Sequence, residues 1–352
     1  MDENSPFRVV ESDINIKDFE ILSPNPTSQR RTLTVHGLVE MNNLDIVYKF
    51  MSENIKMLRR LNSDKDNPIN KDIAIIILNY NSEVDTIKCV KSLQEQRYDS
   101  FEIIIVDNCS KKPSLNVIRN FCYNESIHLI ENNKNNGYNA GNNIGLKYAF
   151  NKGYKYALIA NPDMEFPDKD MLQILVDRMS NDIVVVAPDI RGIDNSHQNP
   201  YKRLGDWKHS FYWIGNVIRS IIDSNAKDSL FDDWSKSHYC AMVSGCCFLI
   251  DLKFVDAIGY FDEGVFLYCE ESILSRQVEQ LKYKMWYCAN TYAVHAHIEK
   301  AKGNPNPRIR IWYRSKKYFI RNYSGNSWIG RQIAYFSAWL NCMVQLMIHS
   351  VK

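Results

Sequence analysis

Polar side chains directly follow three apolar runs of the sequence, where they could bind a cation or a polar ligand. Asn79 ends IAIIILN, Asp107 ends FEIIIVD, and Asp163 follows YALIAN and a proline. A strand interior does not accept Pro162, so the third strand must stop before it and leave Asp163 at its carboxyl end. A carboxylate in that position is either a solvated turn residue or a ligand for a metal ion.

These runs belong to an alternation of strand-like and helix-like segments that begins near residue 71. Four apolar runs are typical of buried parallel strands, and a helical pattern follows each of the first three. This order predicts an α/β fold with a right-handed, doubly wound, mostly parallel sheet. Ligands of such sheets bind at the carboxyl ends of the strands. The sequence therefore predicts one crevice lined by Asn79-Tyr80-Asn81, Asp107-Asn108 and Asn161-Pro162-Asp163.

A loop rich in glycine and asparagine, NNGYNAGNNIG (residues 135–145), precedes the third helix. Gly137 and Gly141 allow a close approach of the backbone, and the free N–H groups of a helix start suit a carbonyl or phosphate oxygen. No G-x-G-x-x-G follows the first strand, which argues against a nicotinamide cofactor. The loop alone is a weak signal.

The second half of the chain adds two adjacent acids and two histidines. Glu270 and Glu271 begin a helical pattern, where acids are often simple partners of the helix dipole. His295 and His297 follow a strand-like run and, taken alone, are equally well explained as packed or surface side chains.

Composition narrows the class of protein. The chain has 352 residues with 43 basic and 41 acidic side chains, a balance that gives no field suited to nucleic acid. The nine cysteines show no C-x-x-C spacing, which predicts reduced thiols and a cytosolic setting. The first residues, MDENSPFRVVESD, are polar and acidic and do not form a secretory signal.

The composition and the hydrophobic pattern divide the sequence into three parts. Residues 1–70 form an N-terminal accessory segment, with a strand and turn in RTLTVHGLVE, a helical pattern over 44–61 and a linker over 62–70. Residues 71–300 form the α/β domain. Residues 301–352 form a C-terminal helical region with a basic, aromatic first part.

The last part of the sequence, QIAYFSAWLNCMVQLMIHSVK, is apolar but short of a continuous membrane span. Ser337, Asn341 and Gln345 are four residues apart and fall on one face of a helix. This pattern is typical of a helix that packs on a domain or lies on a membrane surface. The basic segment before it, RIRIWYRSKKYFIRNY, is either a solvated helix face or a contact for a lipid diphosphate or an anionic membrane.

Taken together, these segments resemble the inverting family 2 glycosyltransferases with the GT-A fold, and the rhamnosyltransferase-like branch in particular. The resemblance rests on the order and spacing of ILNYN, IIIVDNCS, NNGYNAGNNIG, ANPD, SGCCFLI, GYFDEGVFLYCEE and AVHAH, which cover about residues 73–297. It implies a Rossmann-like GT-A domain flanked by an N-terminal accessory segment and a C-terminal helical tail.

The resemblance also implies roles for individual residues. The positions that match the family's nucleotide and donor contacts are Tyr80, Asn81, Asp107, Asn108, Asn136, Gly137, Asn143 and Asn161. Asp163 matches the family's metal-binding acid for Mg²⁺ or Mn²⁺, and His295 or His297 could be a second ligand. Glu271 matches the general base, with Glu270 as the alternative. Asn161 stands where the family usually has an Asp, and Glu271 stands where Asp is commoner.

The function implied is transfer of a sugar from a nucleotide-sugar donor to a glycan or lipid-linked glycan acceptor in surface polysaccharide synthesis. dTDP-rhamnose is the first donor expected and a UDP-hexose the second. The cytoplasm, with a membrane surface as a further contact, is the expected location. A catalytically weak glycan-binding or assembly subunit of the same fold is the alternative. A nucleotidyltransferase is disfavoured, because NYNSEVDTIK lacks the Gly-rich, basic phosphate loop of that class.

Overall fold

The computed structural model describes residues 7–10, 33–36, 71–202, 210–211, 213–214, 231–296 and 304–350. The chain forms two compact units, Met1–Pro68 and Ile69–Lys352. In the first unit, strands β1 (Phe7–Val10) and β2 (Leu33–His36) pair in parallel, and β2 confirms the strand predicted in RTLTVHGLVE. The predicted helix over 44–61 and linker over 62–70 lie outside the described residues.

The second unit is built on a nine-stranded mixed sheet. Its strands are β3 (Ile73–Asn79), β4 (Phe101–Asp107), β5 (His128–Glu131), β6 (Tyr156–Ala160), β7 (Met164–Glu165), β8 (Ile183–Gly192), β9 (His238–Cys240), β10 (Cys247–Asp251) and β11 (Lys284–His295). The spatial order is β5-β4-β3-β6-β10-β8-β11-β7, with β9 also paired to β11. Strands β5, β4, β3 and β6 are parallel neighbours, and β8 and β11 are also parallel to each other. Strand β10 is antiparallel to both β6 and β8. The predicted, mostly parallel α/β sheet is confirmed.

Alternate residues of the central strands point to opposite sides of the sheet, and both sets are apolar. Both faces are therefore covered by helices. Ile73, Ile75 and Ile77 of β3 join one buried cluster, whereas Ala74 and Ile76 join the other. The helices are α1 (Glu83–Gln94), α2 (Lys112–Glu125), α3 (Tyr138–Lys152), α4 (Met171–Val176), α5 (Leu252–Ala257) and α6 (Glu270–Gln280). A continuous apolar strand is therefore buried on both sides, as the sequence predicts.

Helix α3 lies unusually close to strand β3. A Cβ atom at Gly141 would lie 2.5 Å from Leu78 Cδ1, and one at Gly145 would lie 2.7 Å from Ile76 Cγ2. These glycines let the start of α3 reach the carboxyl ends of β3 and β4. At its other end, α3 is capped by Gly153 with φ of 90°, as the sequence predicts.

Two long helices, α7 (Asn306–Asn322) and α8 (Trp328–Ser350), end the described chain. They pack against each other through Tyr313 and Ile320 of α7 and Ala334, Tyr335 and Ala338 of α8. Within the described residues, none of the helices combines the length and the hydropathy that crossing a bilayer requires. All nine cysteines are free thiols.

Candidate active site

The carboxyl ends of β4, β3 and β6 lie side by side, as the predicted crevice requires. Asn79 is the register partner of Asp107, and Ile77 is the partner of Ala160. The residues after these three strands therefore meet at one edge of the sheet.

Asp107 is the most constrained acid of this edge. Its side chain is buried, with 1% of its surface exposed. Its Oδ1 accepts a hydrogen bond from Asn79 Nδ2 at 2.7 Å, and its Oδ2 accepts one from Ser110 N at 2.9 Å. A carboxylate oxygen has two acceptor sites, so each oxygen can still receive one donor from a ligand. Asp107 thus both fixes the loop after β4 and remains the candidate for contact with the nucleotide base.

Asn79 and Ser110 support this acid; the sequence interpretation placed Asn79 in the lining of the crevice but did not predict its bond to Asp107, and it assigned no role to Ser110. Asn79 is fully buried, and its Oδ1 accepts hydrogen bonds from Thr86 Oγ1 at 2.9 Å and Ser82 Oγ at 3.2 Å. Ser110 Oγ accepts from Asn79 Nδ2 at 3.2 Å. The available signal was a polar residue inside an otherwise buried strand, because such a residue must find partners nearby.

Tyr80 and Asn81 occupy the rim of the crevice. Asn81 adopts a left-handed conformation with φ of 52°. Its N–H donates to Ser110 Oγ at 2.9 Å, and its Oδ1 accepts from Lys111 N at 2.8 Å. Tyr80 is 51% exposed. The predicted pair therefore consists of one residue that shapes the loop and one aromatic ring that is open to a ligand.

The Gly/Asn loop is held against the segment that leads to the two acids. Gly137 has φ of 110°, and a Cβ atom there would lie 2.4 Å from the Phe266 carbonyl oxygen. The next N–H, of Tyr138, donates to that same oxygen at 2.8 Å. Asn108 Nδ2 donates to Asn135 Oδ1 at 3.1 Å, whereas Asn136 is exposed. Only a glycine fits the position that joins this loop to residue 266.

Asn143 is buried inside α3 and is bonded on both sides of its amide. Its Nδ2 donates to the Phe261 carbonyl and to Glu263 Oε1, both at 2.8 Å, and its Oδ1 accepts from Phe261 N at 3.0 Å. The structure therefore gives Asn143 the task of fixing residues 261–263. Its predicted contact with the donor stays a prediction.

Asp163 and His295 come together from different strands. Ala296 N donates to the Asp163 carbonyl at 2.8 Å, and His295 Nε2 lies 3.3 Å from Asp163 Oδ2. His295 Nδ1 lies 2.9 Å from Gln198 Oε1, an amide oxygen that accepts, so Nδ1 donates in this pair and Nε2 is the nitrogen that faces the carboxylate. His297 lies outside the described residues.

Asn161 lies beside a tyrosine of α3. The Tyr138 hydroxyl is 2.9 Å from Asn161 Oδ1 and 2.7 Å from the Gly245 carbonyl oxygen. Asn161 N also donates to the Cys246 carbonyl at 2.8 Å. Asn161 thus connects α3, β6 and the start of β10, a role that its amide fills without a charge.

Glu270 and Glu271 are positioned by a strained turn. The two residues before them, Tyr268 and Cys269, are not glycines, yet they have φ of 73° and 67°. Glu271 Oε1 accepts a hydrogen bond from Gly245 N at 3.3 Å, and a Cβ atom at Gly245 would lie 3.0 Å from that oxygen. The turn and this glycine together bring Glu271 to the crevice.

Both acids have an unusual electrostatic environment. Burial raises the pKa of Glu271, and burial together with the nearby Glu271 charge raises the pKa of Glu270. Burial, and then the charges of the two acids, raise the pKa of the Tyr138 hydroxyl well above its ordinary value. A carboxylate with a raised pKa is a stronger base than a solvated one, which suits it to accept a proton from a hydroxyl group.

Asp163 and Glu271 act on the same backbone segment, residues 244–246. Burial raises the pKa of the Cys246 thiol to about 12, and the charges of Asp163 and Glu271 contribute to the shift. Glu270 and Glu271 line one cavity with Tyr138, Asn139 and Gly245. The loop that carries Asp163 and the Glu271 side chain thus meet at residues 245–246, because Asn161 N donates to the Cys246 carbonyl and Gly245 N donates to Glu271 Oε1.

Helix α7 braces the turn that carries the acids. The hydroxyls of Tyr318 and Tyr323 donate to the Asp262 carboxylate at 3.0 and 2.5 Å, and Ser315 Oγ donates to the Leu267 carbonyl at 2.7 Å. The C-terminal helices are therefore connected to the site and do not form an independent appendage.

The arrangement of strand-end acids and amides matches a known family. A family model described as glycosyl transferase family 2 matches residues 74–251, about half of the chain. The chain belongs to this family and is a glycosyltransferase.

Individual relatives agree with this assignment. The low-salt glycan biosynthesis hexosyltransferase Agl10 of Haloferax volcanii is 26% identical over 250 residues, which are 70% of this chain and 74% of that protein. An uncharacterized glycosyltransferase of Haemophilus influenzae is 30% identical over 105 residues, 29% of this chain and 34% of that protein.

Two solved structures share the fold. GalNAc-T7 with UDP, GalNAc and Mn²⁺ has a TM-score of 0.52 at 13% identity, over 78% of this chain and 55% of that one. Mannosyltransferase PcManGT of Pyrobaculum calidifontis, in complex with GDP-Man and Mn²⁺, has a TM-score of 0.50 at 14% identity, over 88% and 86% of the two chains. These likenesses confirm the predicted GT-A fold.

Proposed function

We propose that the protein is an inverting, metal-assisted glycosyltransferase that moves a sugar from a nucleotide-diphosphate sugar to a hydroxyl group of a glycan. One observation carries the proposal. The loop that carries Asp163 and the base candidate Glu271 both contact residues 245–246, and His295 Nε2 lies 3.3 Å from Asp163 Oδ2. A cation ligand pair next to a basic carboxylate is what displacement of a diphosphate by a hydroxyl group requires.

Asp163 and His295 are the residues that would hold the cation. One carboxylate oxygen and one imidazole nitrogen fit Mn²⁺, and the oxygen also fits Mg²⁺. Over the described ranges, no set of three or more His, Cys, Asp or Glu side chains could hold a metal ion. The other ligands would then be diphosphate oxygens and water. When bound, the cation neutralises the charge that develops on the diphosphate leaving group.

Glu271 is the proposed general base. Its Oε1 is oriented by Gly245 N, and it would take the proton of the acceptor hydroxyl as that oxygen attacks the anomeric carbon. A single displacement inverts this carbon. Glu270 remains the alternative base, since burial and the charge of its neighbour also raise its pKa.

The donor site is proposed at the carboxyl ends of β3 and β4. Tyr80 offers an exposed ring to the base of the nucleotide, and Asp107 an ordered carboxylate. dTDP-rhamnose and a UDP-hexose are the proposed donors, and a lipid-linked glycan is the proposed acceptor. The relative Agl10, a hexosyltransferase of glycan biosynthesis, is compatible with either donor because rhamnose is itself a deoxyhexose.

A thermal-shift panel tests the donor and the cation together. The protein would be heated with nucleoside diphosphates and nucleotide sugars, with and without Mn²⁺. A ligand at 100 times its dissociation constant stabilises the folded state by about 2.7 kcal/mol, which raises the melting temperature measurably. We expect dTDP or UDP compounds to stabilise the protein much more strongly when Mn²⁺ is present.

The matched variants are Asp163→Ala and Glu165→Ala, which remove one carboxylate each, two residues apart. Glu165 is exposed on β7, so its loss should leave the Mn²⁺-dependent shift unchanged. Loss of the shift in both variants, or in neither, contradicts the assigned cation site. Stabilisation by nucleotides without any donor hydrolysis or transfer would favour the glycan-binding subunit instead.

A further inference from the structure

The second C-terminal helix, α8, has its polar side turned inward. Ser337 is 1% exposed, and its hydroxyl donates to the Ser210 carbonyl and accepts from Trp213 Nε1. Asn341, on the same face, also has a buried Oδ1. The sequence pattern identified this polar face but not its direction, and the structure shows that Ser337 and Asn341 Oδ1 point inward.

The outer side of α8 is apolar. Its exposed large side chains at helical spacing are Ile329, Phe336, Trp339 and Met347, which we call the apolar stripe. Phe336 and Trp339 are 55% and 46% exposed, and their rings lie 5.9 Å apart. Monomeric soluble domains rarely expose large apolar side chains along one face of a long helix, and this stripe includes a pair of neighbouring aromatic rings, so it indicates a contact surface.

The outer side of the neighbouring helix α7 is basic. Its exposed cations at spacings of four, three and four residues are Arg310, Arg314, Lys317 and Arg321, which we call the basic stripe. Residues 304–350 contain seven Lys and Arg side chains and no Asp or Glu. The basic stripe is therefore not neutralised by acids of its own hairpin.

The two helices run antiparallel. Ile320, near the end of α7, packs in one cluster with Ala334 of α8. Earlier on α7, Arg310 lies near Cys342 of α8, where it opposes the rise in thiol pKa that burial causes. Residues of α7 therefore meet residues of α8 in reverse order.

The two stripes lie on the same side of this hairpin. On α7, Ser315 and Phe319 contact the domain on one side of the helix–helix contact, and the basic stripe lies on the other. On α8, Ser337 contacts the domain on one side, and the apolar stripe again lies on the other. When each helix is viewed from its N-terminus towards its C-terminus, the stripe lies in the same rotational direction from the helix–helix contact. Because the two helices run antiparallel, this places both stripes on one outer surface of the hairpin.

We propose that this outer surface docks on an anionic lipid bilayer, with the apolar stripe inserted at the headgroup level and the basic stripe over the lipid phosphates. Amphipathic helices that lie in the membrane interface combine these two elements. A second copy of the chain is disfavoured, because a two-fold contact through this surface would place each basic stripe against either the other basic stripe or the apolar stripe, with no acid of the hairpin to pair with it. The proposal goes beyond the proposed function and concerns no residue of the active site.

Vesicle sedimentation with the full chain tests the proposal. We expect binding to vesicles of phosphatidylcholine mixed with phosphatidylglycerol, little binding to phosphatidylcholine alone, and release by salt. Each basic residue near an anionic surface contributes a factor of about five, so changing all four residues of the basic stripe to Gln should lower partitioning at least ~100-fold. Phe336→Ser with Trp339→Ser should also abolish most binding, because those rings supply the inserted apolar area.

Matched controls separate this surface from general charge and hydrophobicity. Lys88, Lys91, Lys253 and Lys282 are exposed elsewhere on the domain, and their joint change to Gln removes the same charge. Val117→Ser with Ile193→Ser removes exposed apolar side chains from other surfaces. Both controls should retain binding, and circular dichroism and melting temperature should show that every variant is folded.

Three outcomes would overturn the proposal. The first is equal binding to neutral and anionic vesicles, and the second is a loss of vesicle binding in the control variants as large as in the stripe variants. The third is the absence of vesicle binding together with a concentration-dependent dimer that Phe336→Ser disrupts. The last outcome would make a second copy the occupant. Nucleotide-dependent thermal shifts report on the active site separately, so a failure of vesicle binding leaves the proposed function untouched.

Discussion

The two halves of the crevice are stabilised in opposite ways. On the nucleotide side, Asp107 has a protein donor on each carboxylate oxygen, and the buried amide of Asn79 bonds at both its nitrogen and its oxygen. On the acceptor side, Glu270 and Glu271 lie side by side, partly buried, with raised pKa values. One half is a satisfied polar network, and the other keeps two carboxylates in an environment that disfavours their charge.

This difference indicates that the two sides of the crevice have different roles. A fully bonded network holds a binding surface in one shape, and it contributes to stability because none of its buried groups lacks a partner. A buried carboxylate costs stability when it is ionised, but the same cost makes it a better base. The nucleotide side therefore supplies preorganisation and the acceptor side supplies reactivity, and substitutions in the two halves should change stability in opposite directions.

The largest effect is expected from Glu271→Gln. Loss of the base should lower kcat by roughly 10²–10⁴-fold, while nucleotide binding stays unchanged because Gln keeps the acceptor for Gly245 N. Single-turnover transfer and a nucleotide thermal shift measure the two quantities. The unfolding temperature at neutral pH should rise, since the buried charge is gone and the repulsion of Glu270 is relieved.

The pH dependence checks the cause of that rise. The folded state holds the Glu271 proton more tightly than the unfolded state, so this residue costs no stability below its ordinary pKa of 4.5. The cost grows as the pH rises from 4.5 to the raised pKa and is constant above it. The stability gain of Glu271→Gln should therefore vanish near pH 4.5, and the wild-type rate should fall as pH drops through the raised pKa. If Glu270→Gln shows this behaviour instead, Glu270 is the base.

An intermediate effect, of opposite sign, is expected on the nucleotide side. Asn79→Leu keeps the branched shape of the side chain but leaves oxygens of Asp107 and Thr86 without a buried partner, which costs about 1–3 kcal/mol for each such group. The urea midpoint should fall at constant m-value. Gln94→Leu is the control, because it removes an exposed amide bonded to Glu125 and should change stability by less than about 0.5 kcal/mol. A stabilised Asn79→Leu protein would contradict the comparison.

The sequence was informative where local chemistry determines structure. Ile/Val runs predict β3, β4 and β6, and Pro162 predicts where β6 ends, because buried parallel strands and proline each leave few alternatives. The gathering of strand-end residues in one crevice followed from the parallel order alone, and the structure confirms that β4, β3 and β6 are neighbours.

Tertiary contacts explain what the sequence did not reveal. Asn79 looks like the last residue of a strand, and nothing local shows that its amide supports Asp107. Ser337 marks a polar helix face, yet its partners Ser210 and Trp213 lie far away in the chain, so the pattern alone could not show that this face is inside. Periodicity identifies a face, but only the folded partners determine its direction.

The smallest effect in this series is expected at Gln198, which lies at the Asp163–His295 pair and holds the imidazole that would share the cation. Gln198→Leu removes the acceptor for His295 Nδ1–H and should weaken Mn²⁺ binding roughly 10–100-fold, because an unoriented ring is a poorer ligand. Titration followed by the electron paramagnetic resonance of free Mn²⁺, with a nucleoside diphosphate present, measures this directly. Gln198→Glu keeps an acceptor and should restore affinity, and adding Gln198→Leu to His295→Ala should cause no further loss, since both act through one ligand. Additive losses would show that Gln198 affects the cation by a route other than the orientation of His295.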